Sequence, residues 1–235
     1  MMKEDIFVGL QKLTLLDFPG KVACTLFTNG CNFRCPFCHN ASLVVRAAEQ
    51  RSYKNEEILE FLKKRVGVLD GVAITGGEPT LMHGLYDMIK EIKALGYSVK
   101  LDTNGTRPDV LKKLVNDKLV DYVAMDIKNS PEKYAYTCGL PENYDLSAII
   151  ESKDFLMESR VDFEFRTTVA KPFHTEADFY KIGEWLRGDE KYFLQQFKES
   201  GDIIGQEISP CNESEMGDFL NVLLPFVPNA QLRGV

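Results

Sequence analysis

Short apolar runs alternate with amphipathic segments along most of this chain, and this alternation restricts the fold more than any other feature of the sequence. The apolar runs predict strands at 21–27, 71–75, 97–102, 121–127, 161–170 and 192–197. The amphipathic segments predict helices at 56–66, 81–95, 109–116, 146–159 and 176–187. Asn55 is predicted to cap the first of these helices. Strict alternation of strands and helices implies a parallel sheet with right-handed crossovers.

Six strand–helix units predict an α/β fold, with a partial (β/α)6 TIM-like barrel at about residues 20–198, because a closed barrel of this kind has eight units. A doubly wound sheet is the alternative. Residues 7–20 alternate apolar and polar side chains and end in Pro19-Gly20, which predicts an N-terminal β-hairpin lead-in. The tail 199–235 carries one short apolar helix, at 216–224, and is predicted to be a C-terminal cover segment. We expect a single domain over residues 1–235.

Three cysteines, Cys31, Cys35 and Cys38, follow the first predicted strand at CxxxCxxC spacing. Thiolates select zinc, copper(I) or iron–sulfur clusters, and a structural zinc is expected to have four protein ligands. The other three cysteines of the chain are single and scattered. A [4Fe-4S] cluster held by three cysteines leaves one iron open for a ligand that brings its own donor atoms. The spacing therefore favours such a cluster.

Three other kinds of site fit parts of the same stretch. Cys35 and Cys38 alone have the spacing of a thioredoxin-like redox pair, and together with His39 they fit a c-type haem attachment sequence. A zinc knuckle completed by a distant ligand is the third alternative. The redox pair is less favoured because it does not need Cys31, and haem attachment is less favoured because it implies export. The motifs farther along the chain distinguish the iron–sulfur cluster from these three alternatives.

Polar motifs also follow the later predicted strands, at the ends where the chemistry of barrel enzymes collects. After the second strand come Gly76, Gly77 and Glu78, and these glycines permit close approach of the backbone to a ligand. A tight turn at the start of a helix is the alternative explanation. The other polar residues are Asp102, Thr103 and Asn104 after the third strand, Asp126 and Lys128 after the fourth, and Arg166 on the fifth.

The cysteine loop resembles the signature of the radical S-adenosylmethionine (SAM) superfamily. The resemblance includes Phe37, just before the last cysteine, and the GGE motif that follows one strand–helix unit later. The resemblance implies that Cys31, Cys35 and Cys38 bind a [4Fe-4S] cluster whose open iron is chelated by the amino and carboxylate groups of SAM. It also implies that Phe37 lies against the adenine of SAM.

The full set of motifs is more similar to the activases of glycyl radical enzymes than to the superfamily at large. This resemblance implies that residues 76–78 bind the amino group of SAM. It implies that the Asp102-Thr103-Asn104 motif and Asp126 surround the SAM carboxylate and ribose, in some cases through a monovalent cation. Lys128 and Arg166 would then be charge partners of the methionyl part of SAM.

The lead-in 9–21, running into 28–31, looks most like the activating proteins of anaerobic ribonucleoside-triphosphate reductase, and the resemblance covers roughly residues 10–197. It implies that a flavodoxin- or ferredoxin-type donor reduces the cluster, that SAM is cleaved to methionine and a 5′-deoxyadenosyl radical, and that this radical takes a hydrogen atom from a glycine Cα of the partner reductase. No acid–base pair is required. We therefore assign no catalytic role to His83 or His174, and we take Cys138 for a turn residue and Cys211 for a tail residue.

Composition narrows the choice of partners. A net charge of −7 offers no basic surface for nucleic acid or for an anionic membrane. The N-terminus lacks a signal pattern and no apolar run approaches membrane-spanning length, so we expect a cytoplasmic protein.

Two other function classes stay open. The first is a different radical SAM enzyme, which either acts on a small molecule or activates another glycyl radical enzyme, of the formate-lyase type. The second is a non-catalytic metal or redox module.

Overall fold

The computed structural model describes residues 5–235, which form an α/β fold built on one long sheet. The strands are β1 (Phe7–Thr14), β2 (Ala23–Thr28), β3 (Gly71–Gly76), β4 (Ser98–Thr103), β5 (Tyr122–Asp126), β6 (Asp162–Lys171), β7 (Tyr192–Gln196), β8 (Ser209–Pro210) and β9 (Gln231–Arg233). The helices are α1 (Ala41–Val45), α2 (Asn55–Lys63), α3 (Leu85–Ala94), α4 (Pro108–Asn116), α5 (Tyr134–Cys138), α6 (Ser147–Glu158), α7 (Glu176–Trp185) and α8 (Glu213–Leu223).

The strands follow one another across the sheet in chain order, from β1 through β7 and then β9, while β8 pairs with β6. The pairs β2–β3, β3–β4, β6–β7 and β7–β9 are parallel, and β1 is antiparallel to β2. A doubly wound sheet reverses its strand order at a switch point, and this sheet does not. Its order has two ends within residues 5–235, so the predicted α/β fold with a parallel, unclosed sheet is confirmed.

Residue contacts divide the chain into two compact units, which are described one at a time. The first unit comprises the described residues up to Asn32 together with Leu43–Ala124 and Ala148–Asp162. Helices α2, α3 and α4 each bury one face, with Ile58, Leu85 and Leu111 fully enclosed. Such a stripe at helical spacing is what the sequence pattern predicted. The single domain expected over 1–235 stays a prediction.

The second unit comprises Phe33–Ser42, Met125–Ser147 and Phe163–Val235. Helices α7 and α8 pack against each other here through stacked rings of Phe179 and Phe219, whose centroids are 4.7 Å apart. The tail contributes α8, close to the predicted helix at 216–224, and it also adds β9 to the sheet. Three residues are too short a run to show a strand period, so β9 could not be predicted.

Three local features differ from the sequence predictions. The lead-in contributes one strand, β1, whose hairpin partner is β2, while Thr14 Oγ1 turns the chain by accepting from the N–H groups of Leu16 and Asp17 at 3.2 Å. Asn55 is the first helical residue of α2 rather than its cap. The helix predicted at 81–95 begins only at Leu85, because Gly84 before it has a φ of 85° and interrupts the helical path.

Within the described part of the chain, no helix is both long and apolar enough to cross a membrane.

The end of β3 lies unusually close to the backbone that leads into the cysteine loop, within the first unit. The Gly77 N–H donates to the Thr28 carbonyl at 2.9 Å, and the Glu78 N–H donates to the Gly30 carbonyl at 2.8 Å. A Cβ on Gly76 would lie 2.3 Å from Thr28 O, and one on Gly77 would lie 1.9 Å from Gly30 O. Backbone atoms yield less readily than a flexible side chain does, so any other residue at either position would force the main chain to shift.

Asp189, in the loop before β7, is a buried carboxylate without full hydrogen bonding. Its Oδ1 accepts a hydrogen bond from the Lys191 N–H at 3.3 Å, and its Oδ2 has no partner within residues 5–235. Burial raises the pKa of Asp189 to about 6 from its usual value near 3.8. The folded state therefore holds this proton more tightly than the unfolded state does, and its stability falls as the pH rises from about 4 to about 6.

We expect Asp189→Asn to remove this fall, because the amide cannot ionise. The free energy of unfolding of the variant, measured by urea denaturation, should gain about 1–3 kcal/mol relative to the wild type between pH 4 and pH 6.5. Asp87→Asn, which changes an exposed aspartate, should follow the wild-type profile. Identical pH profiles for Asp189→Asn and the wild type would contradict the prediction.

The close approach at Gly77 predicts that one added methyl group disrupts the first unit. Gly77→Ala should lower the free energy of unfolding by about 1–3 kcal/mol, since the methyl must displace the Gly30 carbonyl. Gly217→Ala is the matched control, because a Cβ at that position of α8 meets nothing within 4 Å. That control should be neutral or slightly stabilising, since alanine favours a helix more than glycine does. Equal stability of the two variants would refute the packing argument.

Candidate active site

Glu78 is a buried carboxylate that joins two strand ends in the first unit. Its Oε1 accepts from the Thr80 N–H at 3.0 Å, from the Thr80 hydroxyl and from the Thr103 hydroxyl at 2.8 Å. Its Oε2 accepts from the Asn104 N–H at 2.6 Å. Burial raises the pKa of Glu78, and these hydrogen bonds act against the rise. Three residues predicted for the site, Glu78, Thr103 and Asn104, are thus brought together.

Asn104 also reaches the cysteine loop within the same unit. Its side-chain amide donates to Asn32 Oδ1 at 2.9 Å and lies 3.8 Å from Cys31 Sγ. Asn32 in turn donates to the Thr106 hydroxyl at 2.9 Å, which donates to Asn104 Oδ1 at 2.7 Å. Asn32 and Thr106 could not be predicted from the sequence, because single polar loop residues carry no periodic signal. Amide donors near a cysteine sulfur are one way in which proteins tune iron–sulfur clusters.

Asp102, by contrast, lies outside the Glu78 network. Its carboxylate forms an ion pair with Lys100, two residues earlier on β4. Lys100 is almost completely buried, with 2% of its surface exposed. This lysine was not predicted as a site residue, because a polar residue that alternates with apolar ones on a strand usually faces solvent.

Cys35, Phe37 and Cys38 lie in a loop of the second unit that main-chain hydrogen bonds hold in place. The Arg34 N–H donates to the Cys138 carbonyl at 2.9 Å, and the Cys38 N–H donates to the Cys35 carbonyl at 3.0 Å. Gly139 follows Cys138 with a φ of 64°, and a Cβ there would lie 2.8 Å from Arg34 O. The end of α5 is therefore fitted closely against this loop.

Cys138 has a larger part than the turn residue expected from the sequence. It is fully buried as the last residue of α5, and its side chain hydrogen-bonds Cys35. This hydrogen bond lowers the pKa of the Cys35 thiol against the effect of burial, whereas burial raises the pKa of Cys38. Cys138 is distant from Cys35 in sequence, so spacing alone gave no sign of this contact.

The Phe37 ring is buried in the second unit, with its centroid 5.4 Å from the ring of Phe173 and 6.0 Å from that of His174. His174 Nε2 lies 2.9 Å from the Lys128 carbonyl oxygen, and burial lowers the pKa of the imidazole. His174 thus contacts the Phe37 ring and hydrogen-bonds the main chain at Lys128.

Asp126, Lys128 and Arg166 form one ionic group in the second unit. Asp126 Oδ1 accepts from Arg166 Nε at 2.6 Å, and Oδ2 accepts from Lys128 Nζ at 2.8 Å. Burial opposes the charge of Asp126, but the two cations outweigh it and hold its pKa well below the usual range. Burial likewise opposes the charge of Lys128, and Asp126 more than compensates, so the pKa of Lys128 is raised. A solvated surface pair, the weaker alternative from the sequence, does not describe this arrangement.

A cavity of about 430 Å³ lies at the C-terminal ends of β6, β7 and β9 in the second unit. Polar side chains line most of it, and none of the residues predicted from the sequence is among them. Its lining residues include His39, Thr168, Gln195, Gln196, Lys198 and Arg233. The His39 ring stacks on Phe197, with centroids 5.2 Å apart and an interplanar angle of 8°. The volume lies in the range of small-molecule sites.

The thiol donor set fits an iron–sulfur cluster better than a single ion. Within residues 5–235, no three Cys, His, Asp or Glu side chains meet closely enough to hold one metal ion. The cysteines of a four-iron cluster each bind a different iron, so they need not converge on one point. Soft thiolates with no competing carboxylate are the ligands such a cluster takes.

Comparison with known proteins places these motifs in a family. The Radical SAM superfamily profile matches residues 25–186 of this chain. A Methanocaldococcus jannaschii protein with the provisional name glycyl-radical enzyme activating enzyme is 30% identical over 235 residues, which cover 97% of this chain and 95% of that protein. A Thermococcus kodakarensis protein with the provisional name GTP 3′,8-cyclase is 28% identical over 145 residues, covering 61% of this chain and 46% of that protein.

Solved structures show the same fold at low sequence identity. A radical SAM methyltransferase from Sphaerobacter thermophilus superimposes with a TM-score of 0.72 at 13% identity, covering 94% of this chain and 68% of that one. Streptococcus suis SuiB bound to S-adenosylmethionine gives a TM-score of 0.66 at 14% identity, covering 87% of this chain and 48% of that one. This chain spans about half the length of SuiB. The superfamily profile and the archaeal relative together show that the chain is a member of the radical SAM superfamily, whose members use a [4Fe-4S] cluster and SAM.

Proposed function

We propose that this protein is an activase that generates a glycyl radical on a partner enzyme, and that the partner is an anaerobic ribonucleoside-triphosphate reductase. The observation that carries the activase assignment is the similarity to the M. jannaschii protein, which extends over nearly the whole of both chains. The lead-in 9–21 supports the choice of reductase through its resemblance to the activating proteins of that enzyme. A flavodoxin- or ferredoxin-type protein would supply the electron.

Cys31, Cys35 and Cys38 would hold the cluster, and its open iron would take the amino and carboxylate groups of SAM. When bound, the reduced cluster and SAM supply the radical chemistry that removes a hydrogen atom from a glycine Cα. The protein's own contribution is to bind, orient and exclude water. The amide of Asn104 near Cys31 and the thiol of Cys138 near Cys35 support two of the three sulfurs.

Glu78 would receive the SAM ammonium group. A carboxylate oxygen accepts about two hydrogen bonds, and Oε2 of Glu78 accepts one, from Asn104. A cation at this position would favour the ionised carboxylate and offset the effect of burial on its pKa. Gly76 and Gly77 would contribute through the backbone, since they fix the position from which Glu78 projects.

Lys128 and Arg166 would pair with the SAM carboxylate, and Asp126 would orient them. An ammonium group has three N–H donors, so Lys128 can contact both Asp126 and a second anion. Phe37 would lie against the adenine. The cavity beside His39 has the volume for the nucleoside part of SAM and lies at the strand ends where barrel ligands bind.

A radical SAM enzyme that acts on a small molecule is the second candidate. The similarity to the T. kodakarensis protein named as a GTP cyclase favours it, but that similarity covers less than half of the relative. The two candidates share the cofactor site and differ in what receives the radical.

The first test concerns the cluster. Anaerobically reconstituted protein should bind about four irons and four sulfides per chain, measured by chemical analysis and by ultraviolet–visible absorbance. Cys31→Ala, Cys35→Ala and Cys38→Ala should each lose the cluster. Cys211→Ala, which changes a buried cysteine of the tail, should keep it. Full iron content in Cys35→Ala would remove the basis of the proposal.

The second test separates the two candidates. Mixed with reduced protein, SAM and the anaerobic ribonucleotide reductase of the same cell, the activase should produce a glycine-centred radical, seen by electron paramagnetic resonance as a doublet that collapses when the glycine Cα is deuterated. Without the reductase, SAM cleavage should be slow, because the radical site is then open to water. Omission of SAM is the control. Fast cleavage coupled to turnover of a small metabolite, with no glycyl radical, would decide for the second candidate.

A further inference from the structure

The residues assigned by resemblance to a monovalent cation do not fit one, and the first reason lies on β4. A sodium or potassium ion is held by oxygen atoms whose negative charge is not already balanced by another cation. Asp102, the first of these residues, contacts the ammonium group of Lys100 instead. The Lys100 side chain is 3% exposed and that of Asp102 is 14% exposed, so the pair is largely shielded from water.

The geometry of β4 favours this pair. Residues two apart on a strand project from the same face, so the Lys100 ammonium has only to bend back along its own strand to reach Asp102. Asp102 is its one anionic contact within the described residues. A buried ammonium group deprived of its counter-ion is strongly unfavourable. The Asp102 carboxylate is therefore committed to Lys100, and a sodium or potassium ion beside it would face a like charge.

Thr103, the second residue, is also committed. Its hydroxyl hydrogen is donated to Glu78 Oε1 at 2.8 Å, and its oxygen accepts from the Gly105 N–H at 3.1 Å. Asp126, in the other unit, has one oxygen on Arg166 and the other on Lys128. Each carboxylate of the expected cation site thus has a cation of its own, supplied by side chains of the same unit.

We propose that Lys100 takes the place of the monovalent cation: its buried ammonium group supplies the positive charge beside Asp102, and the protein binds SAM without sodium or potassium. The inference rests on the proposed SAM site. Lys100 is a positioning residue, since it acts through Asp102 and does not itself contact the reacting atoms.

The test compares the wild type with Lys100→Met, which removes the charge and keeps an unbranched side chain. SAM binding to the reconstituted protein is measured by equilibrium dialysis in tetramethylammonium chloride, and sodium or potassium chloride is then substituted at constant ionic strength. The wild-type Kd should change by less than about twofold, while Lys100→Met should bind at least about tenfold more weakly and recover when sodium or potassium is present. The double variant Lys100→Met/Asp102→Asn should not respond to either ion.

A second measurement does not depend on SAM. In ²³Na nuclear magnetic resonance of the cofactor-free proteins, Lys100→Met should broaden the sodium signal in a potassium-competable way, whereas the wild type and Lys100→Arg should not. A wild-type protein that requires sodium or potassium for SAM binding, or that broadens the sodium signal in the same way, would overturn the inference. Failure of the wild type to bind SAM in every salt would instead contradict the proposed function, and the sodium signal would still decide on Lys100.

Discussion

One buried carboxylate, that of Glu78, determines how the candidate site of the first unit is assembled. It gathers hydrogen bonds from Thr80 on its own strand end and from Thr103 and Asn104 on the next. Parallel strands share main-chain hydrogen bonds along their length, but their ends diverge into separate loops. A fully enclosed acceptor that draws on both loops fixes their relative position, because leaving any of these buried donors unpaired would be unfavourable. Through Asn104, the same carboxylate is linked to the loop that carries Cys31.

Three carboxylates on strands, those of Asp102, Asp126 and Glu164, each have a cation nearby in the same unit. Lys100 accompanies Asp102, Lys128 and Arg166 accompany Asp126, and Arg233 holds Glu164 with two hydrogen bonds of 2.8 and 3.0 Å. Buried ions without partners are too costly to persist. At these three positions the charges are already paired and held in place, so they need not reorganise when a charged cofactor such as SAM binds.

Much of the fold could be predicted from the sequence, because long apolar runs and helical periodicity can be recognised without knowledge of tertiary contacts. All six predicted strands are present, and the boundaries that failed did so for local reasons, as at Gly84, where a positive φ delays α3. The residues of the candidate site were harder to predict from the sequence. Glu78, Thr103 and Asn104 could be named from their motifs and do meet, whereas Lys100, Asn32 and Cys138 could not. Their part in the site depends on burial and on contacts with residues distant in sequence, and neither can be predicted from the spacing of neighbouring residues. The glycines of residues 76–77 were predicted for closeness to a ligand, while the structure shows closeness to the cysteine-loop backbone.

That closeness has a genetic consequence. Every amino acid other than glycine carries a Cβ atom, and at positions 76 and 77 this atom would fall within 2.3 Å of a carbonyl oxygen of the main chain. Any missense change in either codon therefore introduces the same collision, whatever the chemistry of the new side chain. A mutational scan of the gene should therefore find two adjacent positions at which even alanine, the smallest substitution, lowers the amount of folded protein.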